Sequence, residues 1–226
     1  MPIDLVIFDC DGVLIDSEII SARMLVAELA GLGVQIDLDY VARHFLGRSY
    51  PVVMAQIRQE FGLNLPPEFE DHYRQRLLAA FEAELRIMPH VRGVLERLAL
   101  PYCVATSSSP ARAERSLRMV GLSERVGAGL FTSTMVARGK PAPDLFLHAA
   151  DTLGTDPARC LVIEDSLNGV RAGLAAGMRV WRFTGGSHLA GRDLVAPDDA
   201  RAECRFASFA DFFQIDPDVS EKVATR

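Results

Sequence analysis

Leu5-Val6-Ile7-Phe8 is an unbroken apolar run that stops at Asp9-Cys10-Asp11-Gly12. Apolar residues without polar alternation fit a strand buried on both faces, as in a parallel sheet covered by helices. Such a strand delivers two carboxylates to its carboxyl end, the edge at which open α/β sheets bind ligands. Two acids held there are costly unless a cation or a positively charged ligand shares the site. Asp-x-Asp-Gly alone fits a solvated acidic turn equally well, so the rest of the chain has to decide.

After Asp16-Ser17 the pattern is helical as far as residue 87. One helix is expected over 18–30 and stops near Gly31 and Gly33; a second is opened by Pro51 and closed by Gly62. The longest is expected over 67–85, where Phe69, Tyr73, Leu77 and Phe81 recur every four residues. From Met88 onward, helices alternate with short apolar strands at 102–105, 130–132, 160–163 and 179–183, and the tail reads as a last strand and helix. That alternation predicts an α/β fold, a doubly wound parallel sheet with right-handed crossovers. It is built from residues 1–16 and 88–226, with an all-α unit of residues 17–87 inserted after the first strand.

Composition narrows the function. Lys+Arg 24 against Asp+Glu 30 gives a net charge of -6 with no basic stripe, which argues against nucleic acid as a partner. No apolar run is long enough to span a membrane, and the N-terminus lacks a basic leader segment. Cys10, Cys103, Cys160 and Cys204 are scattered, a usage that suits a reducing cytoplasm and does not suit a zinc site. His44, His72, His90, His148 and His188 are isolated, and surface or hinge roles are expected for them.

Each expected strand ends in polar residues of a different kind: Asp9 and Asp11, then Thr106 to Ser109, then Lys140 in a following loop, then Glu164 and Asp165. Crossovers bring those ends to one edge. A hard divalent cation such as Mg²⁺ resolves the carboxylate excess. Lys140, the hydroxyls of Thr106, Ser107 and Ser108, and the start of the helix after Ser109 make a pocket for a phosphoryl dianion.

Asp9-Cys10-Asp11-Gly12-Val13, Thr106, Lys140-Pro141 and Glu164-Asp165-Ser166-Leu167-Asn168-Gly169 together resemble the four motifs of the haloacid dehalogenase-like superfamily of phosphohydrolases. The insertion resembles the C1 helical cap of its β-phosphoglucomutase-like branch, and the likeness extends to bacterial sugar-phosphate phosphatases, those acting on 6-phosphogluconate included; Phe8-Asp9-Cys10-Asp11-Gly12 followed by Asp16-Ser17-Glu18 is part of it. This resemblance implies a Rossmann-like core under a mobile cap. Asp9 would be the nucleophile that forms an aspartyl-phosphate, and Asp11 the general acid and then base. Mg²⁺ would sit among Asp9, the Asp11 carbonyl, Asp165 and Glu164. The substrate would be a small phosphorylated sugar, polyol or sugar acid, and a monomer is the default.

Asp11 and Asp165 argue against a dehalogenase, and the helical insertion argues against a phosphoacceptor signalling domain. A phosphosugar mutase is the nearer alternative. Ser21 and Tyr50 stand where that branch carries a cap histidine and an arginine, which favours a hydrolase. Ser21, Arg48 and Tyr50 are the candidates for contact with the substrate's leaving group.

Overall fold

The computed structural model of the chain describes residues 2–65, 68–192 and 195–222. The strands are β1 (Leu5–Phe8), β2 (Tyr102–Thr106), β3 (Leu130–Thr132), β4 (Cys160–Glu164), β5 (Arg179–Phe183) and β6 (Cys204–Phe206). Among the described residues these six form one sheet in the order β3-β2-β1-β4-β5-β6, with every pairing parallel. This is the doubly wound α/β architecture that the alternation predicts. The strand order reverses beside β1, so the carboxyl ends of β1, β2 and β4 border the crevice where such sheets bind ligands. Phe8 pairs with Val104 on one side and Ile163 on the other, which sets Asp9, Thr106 and Glu164 along one edge.

Both faces of the sheet are dry. Val6, Phe8, Val104, Ile163 and Trp181 point into one core cluster, and Leu5, Ile7, Ala105, Val162 and Val180 into the other. That is the side-chain alternation of a strand buried on both sides. The second face is covered by α8 (Asp144–Thr152), through Leu145, Phe146, Ala149 and Ala150, and by α9 (Leu167–Ala175), through Val170 and Ala172. A Cβ on Gly173 would lie 2.7 Å from Val180 Cγ2, so glycine lets α9 approach the sheet this closely. The other face is covered by α5 (Val91–Arg97) and α6 (Pro110–Met119), by the aromatic group Phe206, Phe209 and Phe212, and by helices inserted after β1.

Those inserted helices are α1 (Glu18–Gly31), α2 (Leu38–His44), α3 (Tyr50–Phe61) and α4 (Phe69–Glu84). Phe69, Tyr73, Leu77 and Phe81 form the buried stripe of α4, as their spacing predicts; the expected start at Pro67 lies outside the described residues. The two connections to the sheet run side by side. Ile15 bridges Ile87, Asp16 N–H donates to Arg86 O (2.9 Å), and Met88 N–H donates to Leu14 O (2.9 Å).

Three local features differ from expectation. Helix α2 has only Val41 buried, too little to mark a stripe, although Asp37 caps it by accepting from Tyr40 N–H. The four-residue α7 (Ser123–Val126) is too short for any periodicity. The tail helix is a 3-10 turn over Phe209–Gln214, whose Phe209 and Phe212 are buried. No helix among the described residues is long and apolar enough to cross a membrane.

Candidate active site

Asp9 directly follows β1, and its N–H still donates to Ile163 O (2.9 Å), so the sheet ladder fixes where its carboxylate stands. Lys140 arrives from the loop after β3. Its ammonium donates to Asp9 Oδ1 (2.6 Å), Glu164 Oε1 (2.7 Å) and Ala105 O (2.9 Å), which uses all three of its hydrogens. Burial pushes the Lys140 amine down, but Asp9 and Glu164 outweigh it and hold the amine above its ordinary value. The other Glu164 oxygen accepts from the N–H (2.9 Å) and hydroxyl (3.0 Å) of Ser166. Glu164 is therefore engaged on both oxygens, as an anchor for Lys140 and for the start of α9.

Asp165 is different. It is 2 % exposed, and its Oδ2 accepts no hydrogen bond. His188 Nε2 lies 2.9 Å away, without the alignment of a hydrogen bond. His188 is 5 % exposed, so a surface position for this histidine is corrected: it is packed against an acid of the site. Gly12 explains itself here. Its φ is 82°, and a Cβ would lie 2.1 Å from Asp165 Oδ2, so only glycine lets the turn after Asp11 pass this acid.

Oxygens of Asp9, Glu164 and Asp165 lie within 4.8 Å of one another, all buried. Asp9 and Asp165 are both pushed well above the ordinary carboxylate range. Burial is the first cause for each; Lys140 only partly opposes it at Asp9, and the neighbouring acids add to it at both. An orphaned buried carboxylate oxygen among crowded acids fits a bound divalent cation, which would return both groups to their anionic form.

Asp11 is held by another set of partners. Its Oδ2 accepts from Ser108 Oγ (2.6 Å) and Thr106 Oγ1 (3.3 Å), and its Oδ1 from Ser17 Oγ (2.6 Å) and Arg112 Nη2 (2.9 Å). Burial raises this group, but Arg112 and the hydroxyls of Ser108, Ser17 and Thr106 outweigh it and hold Asp11 below the usual carboxylate range.

A cavity of about 350 Å³ opens between this edge and the inserted helices. Asp9, Asp11, Glu18, Arg48, Tyr50 and Arg112 are among its lining residues. Ser107 also lines it, with its carbonyl accepting from Ser133 Oγ (3.0 Å). Arg48 is exposed and donates to Gln56 Oε1 (2.9 Å). The Tyr50 ring stacks on Tyr73 at 5.2 Å, and its hydroxyl is buried without a partner. Ser21 faces a smaller space of about 70 Å³ and accepts from Arg112 Nη2 (3.3 Å).

Glu18, Arg112 and His188 belong to this neighbourhood; Glu18 ends the Asp16-Ser17-Glu18 segment that shares in the resemblance, and the other two carry no motif. Glu18 and Arg112 lie on helices α1 and α6, where a charged residue ordinarily reads as a solvated face. His188 lies in the crossover after β5. Only the packing of these elements brings the three side chains to the site.

The whole arrangement matches solved folds. A haloacid dehalogenase-like protein of unknown function from Agrobacterium tumefaciens is 34% identical with a TM-score of 0.78, covering 94% of this chain and 97% of that one. A hydrolase of the same type from Deinococcus radiodurans, crystallised with phosphate and sodium, is 35% identical with a TM-score of 0.74, covering 93% of each chain. Among curated relatives, 6-phosphogluconate phosphatase of Escherichia coli is 29% identical over 82% of this chain and 85% of its own length. Hexitol phosphatase B of the same species is 32% identical over 76% and 80%. The haloacid dehalogenase-like hydrolase family matches residues 3–177, the span that carries the Asp9, Asp11, Lys140, Glu164 and Asp165 cluster, and the chain belongs to that family.

Proposed function

We propose that this hydrolase is a Mg²⁺-dependent phosphatase that releases phosphate from a small phosphorylated sugar, polyol or sugar acid through an aspartyl-phosphate on Asp9. The observation that carries this reading is Lys140, clamped between Asp9 and Glu164 beside the unpartnered Asp165 oxygen. The named relatives, phosphatases of a sugar-acid phosphate and of hexitol phosphates, support the substrate class.

Mg²⁺ held by Asp9, Asp165 and the Asp11 carbonyl, with Glu164 behind them, would screen the repulsion between nucleophile and phosphoryl oxygens. Lys140 fixes the Asp9 carboxylate and adds positive charge at that oxygen. The hydroxyls of Thr106 and Ser108, together with Ser107, receive the phosphoryl oxygens. Asp9 attacks phosphorus, the ester P–O bond breaks, and its electron pair leaves on the alkoxide, which takes a proton from Asp11. Asp11 then removes a proton from water whose oxygen attacks phosphorus. The bond from Asp9 breaks, and phosphate departs with Asp9 regenerated.

Asp11 has to be protonated for the first half. In the free site its hydroxyl partners and Arg112 favour the anion. A bound phosphoryl group draws the Thr106 and Ser108 hydroxyls to itself and adds negative charge beside Asp11, and both changes favour the proton. Residues 17–87 act as the cap that closes over residues 1–16 and 88–226 and excludes water, with Arg48, Tyr50 and Ser21 on the leaving-group side. The test is phosphate release from a panel of phosphorylated sugars, polyols and sugar acids, with and without Mg²⁺. Metal-dependent release from at least one class supports the reading, and release from none contradicts it.

A further inference from the structure

Arg112 is the cation placed closest to the proton-transfer residue. Arg48, Arg74 and Arg112 line the 350 Å³ cavity. Arg48 and Arg74 are exposed: Arg48 is tied to Gln56, and Arg74 lies over the Tyr50 ring at 5.4 Å. Arg112 comes from the core helix α6, with its side chain only 25% exposed. Its guanidinium lies over the Phe81 ring of α4 at 5.3 Å, which restrains its plane. Nη2 is shared between Asp11 (2.9 Å) and Ser21 (3.3 Å). Nε is buried with no partner, and among the described residues nothing accepts from Nη1. The cation is thus under-used by the protein while it lines the substrate cavity, and the one carboxylate it touches is the acid needed elsewhere in the reaction.

We propose that Arg112 is the receptor for a carboxylate on the leaving-group side of the substrate, and that this carboxylate replaces Asp11 on the guanidinium and frees Asp11 to turn to the ester oxygen. A planar carboxylate matches the two-pronged Nη1/Nη2 edge, which a hydroxyl cannot fill. The substrate class is then a phosphate ester of a hydroxy acid, and an ester with a neutral leaving group leaves Arg112 on Asp11. The proposal rests on the phosphatase reading and narrows it.

The test compares 6-phosphogluconate with glucitol 6-phosphate, which has a hydroxymethyl group in place of the carboxylate. The wild type is expected to favour the acid by about tenfold or more in kcat/KM, as charge-assisted contacts do. In Arg112→Met that ratio collapses toward unity, chiefly through KM for the acid. In Arg112→Lys, which keeps the charge and loses the planar edge, the ratio is intermediate. Circular dichroism on each variant checks the fold. A wild type that does not favour the acid overturns the proposal whether or not the variants fold, as does a ratio unchanged in Arg112→Met, and either result leaves the phosphatase reading standing. Absence of phosphate release from every ester by the wild type overturns that reading and this proposal together.

Discussion

Gly47 is seated directly on Ser166: a Cβ built at Gly47 would lie 2.3 Å from Ser166 Oγ, and φ at Gly47 is 72°. Ser166 also caps α9 by accepting from Gly169 N–H (3.0 Å), and Asn168 Nδ2 donates to Leu46 O (3.2 Å). The loop before α3 therefore rests on the segment that carries Glu164 and Asp165, with Arg48 and Tyr50 beside it at the cavity.

Gly47→Ala should unseat this loop. The positive φ alone costs a non-glycine residue about 1–3 kcal/mol, and the clash with Ser166 adds to it. The expected result is a loss of about tenfold or more in kcat/KM for the best substrate with only a few degrees' fall in Tm. Unchanged kinetics would show that turnover does not need the loop in this position.

Metal removal should abolish activity. EDTA leaves Asp9 and Asp165 crowded and buried with Lys140 as the opposing charge, which only partly offsets burial and so favours their protonated forms and disarms the nucleophile. Mg²⁺ should restore turnover, and Ca²⁺, with its looser and larger coordination shell, should inhibit it. Asp165→Asn should weaken Mg²⁺ binding measured by calorimetry. Full activity in EDTA would contradict the assignment of the carboxylate cluster.

Glu18 gives the protein a pH dependence of a predictable sign. Burial, with the nearby Asp11 charge added, raises this carboxyl from 4.5 to about 7. The folded state keeps its proton between those values while the unfolded state has lost it, so stability is full below pH 4.5 and falls as pH rises toward 7. A shift of this size is worth up to roughly 3 kcal/mol. Glu18→Gln in Mg²⁺-free buffer should flatten that part of the urea-midpoint profile and stabilise the protein at pH 8. A profile with the same slope in both proteins would remove Glu18 from the account.

The proposed choice of hydrolase over mutase is tested at Ser21 and Tyr50. Ser21 accepts from Arg112, and the Tyr50 ring is stacked on Tyr73, so neither position supplies a cation for a second phosphate. Incubation with β-glucose 1-phosphate and a trace of the 1,6-bisphosphate should yield free phosphate in preference to glucose 6-phosphate. Efficient glucose 6-phosphate formation with little phosphate would reverse the assignment.

Asp9, Asp11, Glu164 and Asp165 were legible in the sequence because each lies at or just beyond a strand end, and parallel crossovers place such ends together whatever the details of packing; Lys140, farther along the loop after β3, was legible only in combination with them. The α4 stripe was legible because Phe69, Tyr73, Leu77 and Phe81 repeat on one buried face. Arg112 and His188 were not, and Glu18 stood out only as the end of Asp16-Ser17-Glu18, with no role attached to it. Arg112 reaches Asp11 across 101 residues of sequence, through the packing of α6 against the inserted helices. His188 looked solitary because its neighbour Asp165 lies in another element, across a turn that Gly12 leaves open. The Ser166 contact of Gly47 was equally hidden, since a glycine in a loop signals freedom and here provides close approach.

The most direct test of Asp9 as nucleophile uses Asp11→Asn with p-nitrophenyl phosphate, an ester whose leaving group needs little protonation. The first step should proceed while the asparagine, unable to activate water, leaves the second step slow. Rapid mixing in Mg²⁺ should give a burst of about one equivalent of p-nitrophenolate, and borohydride trapping followed by peptide mass spectrometry should find homoserine at position 9. Slow release without a burst, or trapping at any other residue, would contradict the covalent role of Asp9.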